Sequence, residues 1–317
     1  MKAMTIDELK ELISEFETIS DWSLQLLRFN NSERTGITYI SRKITLSPVD
    51  RLNDYIQSIS NRYTQMPENK MGAYQNIESY DGTTDGATIY AISINNKLLN
   101  SAYKNLVSAV AQPDQEIDPL SFDANAFLLR GTHLFNENGK NISKPLEIIS
   151  MQKPFTVLKN KFSFTSNETF KEIHGKVLNL APNVDAIIYD DVVYMFTLAS
   201  EKLFNMERAY KIVCSKNVDD IVACDFITDI DSFQSIATRG HNPRRFVSFN
   251  RNRLKQLQNP INRQTIAGTF SIPLQNGKFD TSQDGISEKI IKLLCDKGMV
   301  DPFENIPVEV SSSKNWI

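Results

Sequence analysis

Residues 184–206 read VDAIIYDDVVYMFTLASEKLFNM, and their pattern decides the fold class. Two apolar runs, AIIY and VVYMFT, meet at Asp190-Asp191, which predicts a β-hairpin. Ser200 is placed to cap a helix directly after it, EKLFNMERAYKIVCSK, with Leu203, Met206, Tyr210 and Val213 turned inward. A strand pair feeding a helix at this spacing predicts an α+β fold of helices and mostly antiparallel sheet.

Working toward the N-terminus, the elements alternate. Residues 5–17 predict a helix with a capping box between Thr5 and Glu8. Strands are expected near 23–29 and 37–46, then a helix from Ser47-Pro48 to about Met66, with proline at its first position. A turn-rich loop from Asp81 to Gly86 precedes a strand at 88–94. Residues 98–111 return to helical spacing through Leu99, Tyr103, Leu106 and Val110. The polar stretch 112–121, QPDQEIDPLS, is the natural linker. The expected organisation is therefore an N-terminal α/β region over 1–112 and a larger C-terminal α+β domain over 122–317. In the latter, strands at 126–130 and 146–151 flank the turn NENGKN, and another strand is expected at 176–180. Toward the C-terminus come a hairpin around Gln275-Asn276-Gly277-Lys278, a helix over 287–296 and a final extended stretch.

Length and composition set bounds. A chain of 317 residues with 41% hydrophobic and 23% charged residues can bury a large core without a metal or disulfide. No apolar run approaches the roughly 18 residues needed to cross a bilayer, and the charged amphipathic start MKAMTIDELKELISEF is unlike a signal peptide. A cytoplasmic protein is expected. Cys214, Cys224 and Cys295 lack CxxC spacing and suit reduced thiols. His133, His174 and His241 have no ligand at metal spacing.

Charge is unevenly placed. Residues 239–263, RGHNPRRFVSFNRNRLKQLQNPINR, carry seven Arg and Lys and no acid, whereas the rest of the chain has 28 Arg and Lys against 38 Asp and Glu, a balance of −10. Six of the seven are arginines, whose planar fork suits phosphate. Arg239, Arg244, Arg245, Arg251, Arg253, Lys255 and Arg263 are the candidate DNA-binding residues, bound to phosphate rather than to bases. If about five of them reach phosphates, log affinity should fall against log salt with a slope of about −4 to −5. The segment should open with an N-cap at Asn242 and Pro243 at the first helical position, with a second break at Asn259-Pro260. Phe246, Val247, Phe249, Leu254 and Leu257 would face inward, leaving Arg244, Arg245, Arg251, Arg253 and Lys255 on the surface. An acidic block just upstream (Asp219, Asp220, Asp225, Asp229 and Asp231) offers the alternative that the two blocks neutralise each other within the fold.

Catalytic signatures are missing from the sequence. It has no phosphate-binding G-x-x-x-x-G-K-[ST], no dinucleotide G-x-G-x-x-G after a strand, no G-x-S-x-G and no H-E-x-x-H. No cofactor motif is found. Asp225, Asp229, Asp231 and Asp185 are the residues a metal-dependent nuclease would use, but the strand after Asp185 lacks the acid-x-Lys such a fold wants. A binding protein rather than an enzyme is expected, with the nuclease as the alternative.

The hairpin-helix of 184–206, with Phe204 near the helix start, resembles the KwaB family of the Kiwa anti-phage defence system. FLLRGTHLF (127–135), IPLQNGKFD (272–280) and EKIIKLLC (288–295) support the resemblance, which runs from about residue 128 onward. It implies a cytoplasmic defence component that binds DNA, and the cluster of arginines with asparagines, lacking a reading helix, predicts that this binding is largely indifferent to sequence. The family acts beside a membrane-spanning partner, KwaA, in an assembly at the inner membrane. A homo-oligomer, a dimer, is expected as well. No catalytic residue comes with the resemblance. An adaptor docking its basic segment on acidic protein or on membrane headgroups is the remaining alternative.

Overall fold

A computed structural model describes residues 3–19, 21–32, 36–45, 50–65, 69–82, 87–114, 121–137, 139–164, 170–295, 297–301 and 306–309. The chain divides into two compact units. Unit 1 comprises Met1–Ser79 and Asp85–Met206; unit 2 comprises Tyr80–Thr84 and Glu207–Ile317.

Unit 1 is built on one sheet. Its elements in chain order are α1 (Ile6–Ser14), a 3-10 turn Glu15–Thr18, β1 (Ser23–Ser32), β2 (Gly36–Ile44), α2 (Asp50–Ser60), β3 (Asn76–Ser79), β4 (Thr88–Ser93) and α3 (Asn100–Ala111). Then follow β5 (Ala126–Glu137), β6 (Lys140–Ser150), β7 (Phe155–Phe164), β8 (Phe170–Leu178), β9 (Ala186–Tyr189), β10 (Val192–Met195) and α4 (Ala199–Leu203). Eight strands form a sheet of order β2-β1-β5-β6-β9-β10-β4-β3, antiparallel except for the β3–β4 pair. The expected α+β class is found.

Alternation along the strands sorts the two faces. Leu24, Leu26, Phe127, Leu129, Leu146, Ile148 and Ile187 face a core with Leu9, Leu12, Ile13 and Phe16 of the first helical segment and Ile56 and Ile59 of α2. The Thr5–Glu8 capping box forms as expected and starts α1. Gly131 on β5 makes room for this layer: a Cβ there would lie 2.8 Å from Ile19 and 3.0 Å from the Trp22 ring. On the other face, Gln25 donates to the Val110 carbonyl at 3.3 Å and Ser41 to that of Ala109 at 2.7 Å. These bonds satisfy carbonyls in the last turn of α3 that have no partner within the helix.

The strands on either side of residues 112–121 pair directly, with Leu24 opposite Leu129. That Pro-rich stretch is therefore a connection inside one sheet, and the contacts divide the chain after Met206 instead. Residues 115–120 of it lie outside the described residues, as do Ser47-Pro48 at the expected helix start. The Asp190-Asp191 turn has both residues at positive φ, 51° and 62°, the geometry of a hairpin turn matched to strand twist. The helix expected after Ser200 is interrupted. α4 ends at Leu203, Asn205 sits at φ 49°, and α5 starts at Met206. Ser200 does not cap; its hydroxyl donates to the Asp185 carbonyl at 2.7 Å. β7, which the sequence reading did not anticipate, pairs with β8 outside the large sheet.

Unit 2 is mainly helical. It holds α5 (Met206–Ala223), α6 (Ile230–Ala237), α7 (Asn242–Arg245), α8 (Arg251–Gln258), α9 (Pro260–Thr269), β11 (Leu274–Gln275), β12 (Lys278–Phe279), α10 (Ile286–Leu294), β13 (Gly298–Val300) and β14 (Pro307–Glu309). Phe226, Phe233, Phe246, Phe279, Ile290, Ile291 and Leu294 form its core, all at most 1% exposed. Cys214 and Cys295 are buried, Cys224 is half-buried, and none of the three is in a disulfide. Burial pushes the Cys214 thiol up to about 11. No helix among the described residues is long and apolar enough to cross a membrane.

Candidate nucleic-acid interface

The basic segment folds as three short helices, α7, α8 and α9, broken by its asparagines and prolines. Asn242 is the first helical residue rather than the cap, and its amide donates to the Ile236 carbonyl at 2.8 Å, in the last turn of α6. Asn250 does cap: its side chain accepts from the backbone of Asn252 and Arg253 to begin α8. Asn259 ends α8 and accepts from Ile261 to start α9, with Pro260 at the first position. The break at Asn259-Pro260 is where the sequence places it.

The seven candidate cations have different surroundings. Arg244, Arg245 and Arg253 are half-buried rather than exposed. Arg244 Nε donates to the Tyr80 hydroxyl at 3.2 Å, and that hydroxyl also meets the hydroxyl of Tyr210. The Tyr80 and Tyr210 rings stack with centroids 6.5 Å apart. Gly82 follows at φ 87°, where a Cβ would fall 2.5 Å from the Arg244 carbonyl oxygen. Only glycine fits so close to that backbone. Nearby, the buried Lys297 ammonium lies 3.3 Å from Asp81. Arg245 donates to the Asn242 side chain at 2.7 Å, supporting the amide that holds α6. Arg253 donates to the carbonyls of Leu293, at 2.7 Å, and Gly298, at 3.5 Å.

Arg239, Arg251 and Lys255 are exposed. Arg251 meets Asp220 at 2.6 Å with its side chain still 57% exposed, a pair worth less than about 1 kcal/mol. Arg263 is half-buried and donates to the Leu257 and Gly277 carbonyls at 2.9 and 2.8 Å. Those acceptors are neutral, so its charge is not cancelled. No carboxylate pairs with Arg239, Lys255 or Arg263 among the described residues. Arg251 and Lys255 are one turn apart on α8 and share a face. Exposed Asn252, Gln256 and Asn262 lie among them, supplying neutral donors of the kind that reach phosphate.

The two phenylalanines are core residues. Phe246 is 1% exposed, and Phe249 packs against the same cluster with its ring centroid 5.9 Å from that of Phe246.

The upstream aspartates do not converge. Asp220 takes Arg251; Asp225, at φ 52°, accepts from Lys278 Nζ at 2.5 Å; Asp229 caps α6 through the Ser232 amide. Asp185 is tied to the Met151 amide and the Thr197 hydroxyl. Among the described residues, no three His, Cys, Asp or Glu side chains gather where a metal could bind. Sequence reasoning singled out no partner for His133, which is buried on β5 between the Tyr189 hydroxyl and Glu15 Oε2, each at 2.8 Å. His241 is exposed, and the side chain at 174 lies outside the described residues.

A family model described as Kiwa protein KwaB-like matches residues 134–300, which include the β9–β10 hairpin and the whole basic segment. No curated protein and no solved structure matches the chain.

Proposed function

The chain belongs to the KwaB-like family of Kiwa proteins, and so to an anti-phage defence system; from that premise, we propose that it binds DNA through the exposed cations of α8 and the α6–α7 turn together with the half-buried Arg263 of α9. One observation carries this reading. Arg239, Lys255 and Arg263 lie in a 25-residue stretch without an acid and keep uncancelled charge among the described residues. Concentrated positive charge on an otherwise acidic chain attracts a polyanion and releases its counterions. Amides interleaved with the cations give phosphate contacts without a base code, so binding is largely indifferent to sequence. The reading is of a binding protein rather than a hydrolase, since Asp220, Asp225 and Asp229 are engaged with Arg251, Lys278 and the α6 cap. A membrane-embedded partner, supported by the family resemblance alone, and a homo-dimer complete the proposal.

Fluorescence anisotropy with a short labelled duplex tests it. The wild type should bind, and Arg239→Ala/Arg251→Ala/Lys255→Ala should lose affinity on the order of tenfold or more at moderate salt. Equal binding by the two proteins would contradict the reading.

A further inference from the structure

We propose a second anion site, in unit 1, that takes a phosphate monoester. The feature is a cavity of about 460 Å³ lined by Arg28, Asn30, Thr38, Asn125, Lys153 and Asp123, among others. Its position follows from the strands. Arg28 and Asn30 continue the alternation of Leu24 and Leu26 along β1, and their β2 partners are Ile40 and Thr38. The face that is apolar under α1 thus turns polar toward the end of the same hairpin.

Arg28 is held in place by a ring rather than by a charge. Its guanidinium carbon lies 5.4 Å from the centroid of Phe122, which is buried. That cation–π contact helps to position the guanidinium without using its N–H groups, which are left for a ligand. Among the described residues neither Arg28 nor Lys153 pairs with a carboxylate. Asn125 is committed in both directions to the Phe29 backbone, at 3.1 and 2.9 Å, which fixes this wall of the cavity.

Two cations that form no ion pair among the described residues, beside the amide of Asn30 and the hydroxyl of Thr38, match a compact dianion carrying several acceptor oxygens. The Asp123 carboxylate, which also lines the cavity, lowers the net charge and is available to accept a hydrogen bond from a hydroxyl of the ligand. A phosphate monoester with a hydroxyl-bearing body, such as a nucleoside 5′-monophosphate, has both parts, and the volume lies in the range of small-ligand pockets. The monoester can belong to a free nucleotide or to a phosphorylated strand end. This site is separate in sequence from the basic segment and does not rest on the DNA-binding reading.

Calorimetric titration of the whole protein tests the site, with four ligands: AMP, adenosine, and one oligonucleotide with either a 5′-phosphate or a 5′-hydroxyl. AMP should bind saturably and adenosine should not. Lys153→Glu, a change at an exposed side chain, should weaken AMP binding at least tenfold with an unchanged melting curve, and Arg28→Gln should do the same. If the 5′-phosphate also strengthens oligonucleotide binding, and Lys153→Glu removes that gain, the source is a strand end; a gain for AMP alone assigns it to free nucleotide. Equal affinity for AMP and adenosine, no binding of any phosphorylated ligand, or a Lys153→Glu variant that binds AMP as wild type does would overturn the proposal. The Arg239/Arg251/Lys255 variant should bind AMP like wild type, so a failure here and a failure of the DNA-binding reading are told apart.

Discussion

The two units use charge differently. In the sheet of unit 1 the strand carbonyls pair with neighbouring strands, so little backbone remains for a cation to satisfy. Among the described residues, its most buried carboxylate pairs side chain to side chain: Glu147 on β6 sits opposite Arg130 on β5 in register, 3.3 Å from its Nε. Unit 2 is built from short helices, and every helix end leaves carbonyls without partners. The basic segment answers many of them. Arg253 takes Leu293 in the last turn of α10, Arg263 and Asn262 take Leu257 and Gln256 near the end of α8, and Asn242 takes Ile236 in α6. Ser248 adds the Cys295 carbonyl just past α10. Cations suit that end of a helix by dipole as well. Unit 1 does this with an arginine at Arg42, whose guanidinium donates to the Asp114 carbonyl at 3.0 Å, whereas the basic segment of unit 2 does it at Arg253 and Arg263, so a count of positive charges overstates what is left for phosphate.

The largest expected effect concerns the core of the segment. Phe246→Ala should cost unit 2 about 3–5 kcal/mol, read as a fall in denaturant midpoint. A nearly unchanged midpoint with lost DNA binding would instead make Phe246 a stacking platform. Next, Arg253→Ala removes a charged donor from two carbonyls and should cost about 1.5–3 kcal/mol. The folded fraction should keep its DNA affinity within about twofold, a difference of under half a kcal/mol. By contrast, Arg251→Ala/Lys255→Ala should change stability by less than about 0.5 kcal/mol per site and still weaken DNA binding. An equal loss of affinity from Arg253→Ala and from this pair would erase the distinction between braces and contacts.

The smallest effect sharpens the contrast from the side of unit 1. Burial raises the Glu147 carboxyl above its usual range, and Arg130 only partly opposes this. A carboxyl whose pKa is raised on folding favours the folded state while protonated. Its contribution is full below the ordinary carboxylate range and is lost as pH rises through the folded value. Glu147→Gln should therefore flatten that decline and leave stability at neutral pH unchanged or slightly higher. Thermal melts from acid to neutral pH check the sign; a Gln variant clearly less stable at neutral pH would show that the pair repays its burial.

Much of unit 1 is legible in the sequence because its signals are local. The Thr5–Glu8 capping box, the Asp190-Asp191 turn and the alternation of Leu24 and Leu26 each show within a few residues. The sheet that unites β1 with β5 does not, because strand pairing across 112–121 is a long-range choice that a polar linker composition cannot reveal. β7 escaped because no turn pattern flagged it. In the basic segment the breaks at Pro243 and Pro260 were readable, and so was the inward role of Phe246. Which arginines turn inward was not, since that depends on where the ends of α6, α8 and α10 lie in space. The cavity at Arg28 was equally hidden, because Arg28 and Lys153 come from distant parts of the chain.

The division of the basic segment into braces and phosphate contacts is tested most directly by the salt dependence of duplex binding. Four contacting cations, Arg239, Arg251, Lys255 and Arg263, give a slope of log affinity against log salt of about −3 to −4, whereas all seven would give about −6. The account predicts the shallower slope, falling by about two in Arg251→Ala/Lys255→Ala and unchanged in Arg244→Lys, which keeps the charge but not the fork toward Tyr80. A slope near −6 in the wild type, or one that Arg251→Ala/Lys255→Ala leaves untouched, would contradict it.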